Sequence, residues 1–254
     1  MAAGVQRSLR GWRPDRPDHR DRVVSAVTDS ARLPPTADLR KHALAIRDQG
    51  EHSSCVWNAA AAGMGYLYQR AGVADPQMSR MFGYWYTRKL EGTPPSEDSG
   101  CEIRDAMKVL AERGVCFESS WPYVDANLTA EPSEAAQLEA RDHQSLIYVR
   151  LRSLRTIKAS IVQGFPPVGG FSVYENYMRE ECERTGRVAY PEANERCLGG
   201  HAVLFVGFDD YANELVFQNS YGRSWGDQGY GRLPYRYLLG GLADDFWSQR
   251  LMEM

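Results

Sequence analysis

Asp48-Gln49-Gly50-Glu51-His52-Ser53-Ser54-Cys55-Val56-Trp57 is the stretch from which the rest of the chain can be read. It joins a polar, glycine-containing loop to an alanine-rich run that ends at Gly72. The pattern predicts a helix over residues 53–71, with Ser53 and Ser54 as N-cap candidates. Cys55 then falls in the first helical turn, where unpaired backbone N–H groups and the helix dipole favour a thiolate. The thiolate is the form of cysteine that attacks. Gln49 stands six residues earlier. A loop that folds back would set its amide beside the sulfur, forming an oxyanion hole with the Cys55 N–H. Taken alone, the same residues also describe a buried cysteine and a solvated glutamine.

Two later segments decide between those readings. In Leu198-Gly199-Gly200-His201-Ala202-Val203-Leu204-Phe205-Val206-Gly207 a histidine opens an apolar strand directly after two glycines. The glycines clear space for a ligand or another backbone. In Gln218-Asn219-Ser220-Tyr221-Gly222-Arg223-Ser224-Trp225-Gly226-Asp227-Gln228-Gly229-Tyr230 an asparagine ends a strand and is followed by glycines and aromatics. Its side-chain carbonyl is suited to orienting an imidazole. Each segment alone has a bland reading, a capped core histidine or a packed glycine turn. Together, Gln49, Cys55, His201 and Asn219 supply oxyanion donor, nucleophile, base and base-orienter.

With these residues in that order, the chain resembles the papain-like cysteine peptidases, in particular their short bacterial members. The resemblance runs from about Leu33 to Trp247. It rests on Leu33-Pro34-Pro35, Asp38-Leu39-Arg40, Arg47-Asp48-Gln49-Gly50, Ser54-Cys55, Gly199-Gly200-His201-Ala202-Val203, Gln218-Asn219-Ser220 and Ser224-Trp225-Gly226-Asp227-Gln228-Gly229-Tyr230. Asp98-Ser99-Gly100, Ile103-Arg104-Asp105, Trp121-Pro122-Tyr123 and the early Gly11-Trp12-Arg13-Pro14-Asp15-Arg16-Pro17-Asp18 add to it. It implies an α+β, two-lobed fold with a helical lobe, a β-barrel-like lobe and the cleft between them. It implies Cys55 as nucleophile, His201 as its ion-pair partner, Asn219 orienting His201, and Gln49 in the oxyanion hole. Trp225 would pack beside the Asn–His pair, and Tyr221 stands where the family has tryptophan. Substrate backbone would pair with Ser99, Gly100 and Cys101, near Gly200. A modest apolar pocket would be lined by Ile103, Phe171, Gly199 and Ala202, with no acid at its base, and would disfavour arginine. His52 replaces the cysteine of a family disulfide, and the long helical prodomain is missing.

The coarse pattern agrees with two lobes. Ile103, Ala106, Met107 and Leu110 mark one apolar helix face over residues 102–113. From residue 146 the period becomes strand-like at 147–151, 168–174, 203–208, 214–218 and 230–233, with a short helix over 153–163. The expected division is an arm at 1–32, possessing either a regulatory position in or over the cleft or a plain surface course. A peptidase domain follows at 33–254, its helical lobe about 45–145 and its β lobe about 146–254 plus 33–44. Residues 175–196 carry Glu180, Glu181, Glu183, Glu192 and Glu195, read as a lid or a solvated loop.

The 254 residues hold 30 Lys and Arg against 33 Asp and Glu, a net charge of −3 that argues against nucleic-acid binding. No apolar run suits a membrane span, and no secretory signal opens the chain, so the expected location is cytoplasmic, with atypical export as the alternative. The five cysteines Cys55, Cys101, Cys116, Cys182 and Cys197 are an odd number, and free thiols are expected of them. Cys182 and Cys197, which flank the 175–196 segment, are the alternative pair. No metal and no other cofactor is expected, since no ligand spacing for zinc is present. The expected function is a cysteine endopeptidase acting on peptide or protein substrates. A processing peptidase for one partner peptide and an idle papain-fold binding protein are the alternatives.

Overall fold

The computed structural model describes residues 8–24, 32–42, 45–74 and 76–251. Arm residues 1–7 and 25–31 lie outside the described residues. The first half is helical. Helix α1 spans Cys55–Arg70 and α2 spans Arg80–Leu90. After the short strand β3 (Cys101–Glu102) come α3 (Ile103–Glu112), α4 (Ala126–Thr129) and α5 (Glu134–Ala140). Alanine and glycine let α1 be buried nearly all round, as a central helix must be, and it packs against the long strand of the other half.

That other half is a seven-stranded antiparallel sheet. Its strands are β2 (Thr36–Asp38), β4 (Ile147–Leu151), β5 (Val168–Tyr174), β6 (Cys197–Asp209), β7 (Glu214–Gln218), β8 (Tyr230–Pro234) and β9 (Ala243–Leu251). They are ordered β4-β9-β5-β6-β7-β8, with β2 on β6. Among the described residues β4 and β8 are not paired, so the sheet stays open and no barrel closes. Strand β6 begins earlier than its apolar run suggests, because Cys197–Gly200 already pairs with β5. Helix α6 (Leu154–Val162) starts on a Ser153–Thr156 capping box. Helices α7 (Glu180–Thr185) and α8 (Tyr235–Leu239) complete the fold.

The apolar residues form two clusters, one centred on the helices and one on the sheet. Trp12, an arm residue, belongs to the first. The arm runs in the groove where the halves meet. Strand β1 (Trp12–Arg13) pairs parallel with β3, and Arg10 bridges Gly200 of β6. Farther on, Val23 bridges Arg150 on β4, at the sheet's outer edge. Among the described residues, the arm thus lies in the groove at Leu9–Trp12 and follows the sheet's edge near Val23.

Candidate active site

Cys55 is the first residue of α1 and is wholly buried. The turn before it is held from the side. Ser53 N–H donates to Asp98 at 2.9 Å, and the Ser54 hydroxyl lies 2.5 Å from that of Tyr123. The Cys55 sulfur accepts from Ala202 N–H at 3.3 Å, so the start of α1 touches the middle of β6. The expected thiolate is not the state of this closed cleft. Burial pushes the Cys55 thiol up to about 12, outweighing the N–H groups of Ala202, Val56 and Cys55 that favour the charged form.

His201 precedes Ala202 on β6, which places its imidazole on the same strand as the contact with Cys55. Its Nε2 meets Asn219 Oδ1 at 2.8 Å. That oxygen also accepts from Ser220 N–H at 2.9 Å, so the Asn219 amide must turn its NH₂ elsewhere, and Nδ2 donates to the Tyr177 hydroxyl at 3.2 Å. The amide orientation assigns the neutral ring's proton to Nε2 and makes Nδ1 the basic nitrogen. Phe171, Tyr177 and Tyr221 surround the imidazole, with Tyr221 nearest at 4.8 Å between ring centroids. Trp225 reaches the pair through Tyr177 and Tyr221. Gln49 is buried at the seam. Its Nε2 donates to His52 C=O at 2.7 Å, its Oε1 accepts from Ser220 Oγ at 2.6 Å, and its backbone N–H donates to Ser220 C=O. The four residues singled out in the sequence are thus brought to one place from three segments.

The arm occupies the groove above them. Gly200 N–H donates to Leu9 C=O at 2.7 Å, and Cys101 N–H to Gly11 C=O at 3.0 Å. A Cβ on Gly11 would stand 2.4 Å from the Cys55 sulfur, so only glycine passes there. Gly100 and Gly199 also face the arm backbone, next to Arg10 and Leu9. Ser99 bonds its neighbour Gly100 through Oγ. Trp12 is seated against Gly170 and Gly200, within the same buried cluster as Ile103 and Ala202 of the expected pocket, while Gly199 meets Leu9 instead.

Two expectations for that pocket are corrected. Phe171 does not line it, because side chains alternate along β5 and it is Gly170 that meets the Trp12 ring. Phe171 turns into the sheet's core, against His201, Tyr177 and Phe217. The base of the pocket does hold an acid: Trp12 Nε1–H donates to Asp245 Oδ2 at 3.3 Å. Asp245 and Tyr177 are the functional candidates that sequence reasoning missed. Neither lies in a recognisable motif, and only the early Asp-Asp pair of β9 hinted at the first.

Below the pocket, arm carboxylates enter a buried ionic network. Asp15 N–H donates to Asp245, Trp247 Nε1–H donates to Asp15 at 2.7 Å, and Asp21 bridges Arg104 and Arg150. Arg150 also pairs closely with Asp245. Arg13 pairs with Glu91. Glu91, Glu102 and Asp105 have carboxylate oxygens within 4.8 Å of one another and are engaged by Arg13, Arg16 and Lys108. All five cysteines are free, Cys182 buried and Cys197 exposed. No helix among the described residues is long and apolar enough to cross a membrane.

A helical half and an antiparallel sheet that meet at a cysteine-led helix define the papain class of thiol peptidases. The chain belongs to that family: the model for papain family cysteine proteases matches residues 33–239. Among solved structures it is similar to xylellain, a cysteine protease from Xylella fastidiosa, at 34% identity and a TM-score of 0.89, over 98% of each chain. It is also 34% identical to an uncharacterized peptidase C1-like protein of Acanthamoeba polyphaga mimivirus, over 93% of this chain and 85% of the relative. The digestive procathepsin L 3 of Tenebrio molitor shares the fold at 18% identity and a TM-score of 0.71, over 91% of this chain and 75% of the other.

Proposed function

We propose that the chain is a cysteine endopeptidase that works through Cys55, His201, Asn219 and Gln49, and that the arm-filled cleft is its latent form. The observations that support this are the contact of Ala202 N–H with the Cys55 sulfur, one residue along β6 from His201, and the bond between His201 and Asn219. Once the arm leaves, water enters and the cost of charging the thiol falls. Nδ1 of His201 takes the thiol proton, and the imidazolium is held by Asn219. The thiolate attacks the scissile carbonyl, and the oxyanion is bound by the Cys55 N–H and the Gln49 amide. His201 returns its proton to the departing amine, leaving a thioester on Cys55. Water, deprotonated by His201, then cleaves the thioester and restores the thiol.

The arm is not arranged as a substrate. The carbonyl of Gly11, the arm residue that crosses the sulfur, accepts from Cys101 N–H, and the Gln49 amide is bonded to His52. The arm therefore fills the site with the Gly11 carbonyl and the Gln49 amide each bonded elsewhere. The test is full-length protein carrying Gly11→Val. It should hydrolyse fluorogenic peptides and be labelled at Cys55 by a thiol-directed epoxide. Adding Cys55→Ala should abolish both, and continued turnover in that double variant would overturn the assignment.

A further inference from the structure

On the reading of this cleft as a peptidase site, we propose that the seat of Trp12 is the pocket that selects substrates, and that Asp245 at its base recognises a neutral hydrogen-bond donor on an aromatic side chain, tryptophan first. Gly11 lies over the Cys55 sulfur, so the seat of Trp12 adjoins the reacting position. The seat takes a whole indole and leaves Trp12 only 7% exposed. Its walls are flat because two glycines make them. A Cβ on Gly170 would stand 2.2 Å from the ring and one on Gly200 would stand 2.7 Å from it.

The base is chemically specific. Asp245 is 1% exposed and sits in the left-handed region at φ 56°, a conformation that aspartate tolerates better than most residues. Its oxygens face Trp12 Nε1–H, Asp15 N–H and the Arg150 guanidinium. When the arm departs, Trp12, Asp15 and Asp21 depart with it. Asp245 on β9 and Arg150 on β4 remain, paired across neighbouring strands, with Asp244 3.6 Å from the same guanidinium. The vacated pocket then ends in a carboxylate already neutralised from behind. A guanidinium entering it meets a carboxylate whose charge Arg150 already balances, and a carboxylate is repelled by Asp245. A phenyl or isobutyl group fills the walls but leaves a buried acceptor without a donor. An indole N–H, or after it a phenol O–H, fills the walls and satisfies the acceptor. A site built around such a bond rejects the analogue lacking it more strongly than it rejects a change of size.

The experiment uses full-length Gly11→Val protein and otherwise identical fluorogenic peptides that differ at the residue entering this pocket. Tryptophan is compared with 3-benzothienylalanine, in which sulfur replaces the N–H, and with leucine and arginine. The expected result is a kcat/KM for tryptophan about tenfold above that of the benzothienyl analogue. Arginine should be the poorest. In Asp245→Ala the two aromatic peptides should become equivalent. Equal rates for the two in the Gly11→Val protein, or a preference for leucine or arginine, would overturn the proposal while leaving the peptidase reading intact. Hydrolysis of none of the peptides would overturn both. The substrate comparison is made within one protein, so it does not depend on how Asp245→Ala folds.

Discussion

Gly11 shows how much can rest on one missing methyl group. Its backbone crosses the Cys55 sulfur so closely that a Cβ would lie 2.4 Å from it and 3.0 Å from the Ser53 carbonyl oxygen. The second of those is backbone and cannot step aside cheaply. Overpacking of this kind costs about 1–3 kcal/mol, and on that scale the open form gains about five- to 150-fold. Alkylation of Cys55 by iodoacetamide should therefore be slow in the parent chain, faster in Gly11→Ala and fastest in Gly11→Val. Equal rates in all three, followed by mass spectrometry of the Cys55 peptide, would show that the arm does not govern access. At the neighbouring loop, His52 lies between Asp98 and Asp125. Its ring nitrogens lie 2.9 Å from Asp125 and 4.0 Å from Asp98, while Asp98 holds Ser53 N–H.

At the scale of elements, residues 175–196 turn out to be neither a lid nor a free solvated loop. They fold into a 3-10 turn, Glu175–Met178, and helix α7, which ends on Gly186 in the left-handed conformation at φ 70°. Glu180, Glu181, Glu183 and Glu192 line the outside, Glu195 is covered and pairs with Arg179, and Tyr177, Cys182 and Val188 pack into the sheet's core. The buried Tyr177 hydroxyl accepts from the Asn219 amide and so prevents that amide from turning its NH₂ toward His201. Tyr177→Phe removes a bond worth about 1 kcal/mol and leaves a buried N–H without a partner. The expected outcome is a several-fold lower kcat/KM and an alkaline limb of the pH profile moved downward, because a loosened Asn219 stabilises the imidazolium less. A lower kcat/KM with an unmoved limb would reduce Tyr177 to a packing residue.

Strands and helices β4, β5, β7, β8, α1, α3 and α6 are legible in the sequence because each is a periodic or continuous run of apolar and small residues. Strand β9 was not. It lies between β4 and β5 and buries Asp245, Ser248 and Gln249 among its apolar residues. Their partners are Arg150, Ser160 and the Ala60 carbonyl, all distant in sequence, so no local pattern announces the strand. Helix α2 escaped for a related reason: it buries polar Arg80, Thr87 and Arg88 beside aromatics, and Arg88 is satisfied by the carbonyls of Pro95, Glu97 and Leu128.

Over the whole molecule, the arm joins the two halves through charges that are costly to bury. Burial, and after it the nearby Asp245 carboxylate, pushes the Asp15 carboxyl from its ordinary 3.8 up to about 7. Burial likewise pushes Glu91, the partner of Arg13, up to about 7. A carboxyl whose pKa is higher in the docked form takes up a proton on docking. Docking is therefore favoured at the acid end and loses stability as pH rises between about 4 and 7. The full chain should melt at a higher temperature near pH 5 than near pH 7.5, by a few degrees more than does Asp15→Asn. The same slope in both proteins would show that Asp15 does not carry the effect.

The sequence by itself determined the class of chemistry. Cys55, His201, Asn219 and Gln49 sit in short segments whose glycines, strand ends and helix start are local features, and local features survive in one dimension. It also determined the periodic elements and hence a helical half followed by a sheet. What only the tertiary structure decided was the state of the site. A thiol that local helix geometry would ionise is neutral here, because a segment more than forty residues upstream buries it, and burial outweighs the helix end. The pocket's acid, the tyrosine behind Asn219 and the course of the arm all depend on contacts between residues far apart in the chain. Desolvation and close packing arise from such contacts, and neither has a local signature.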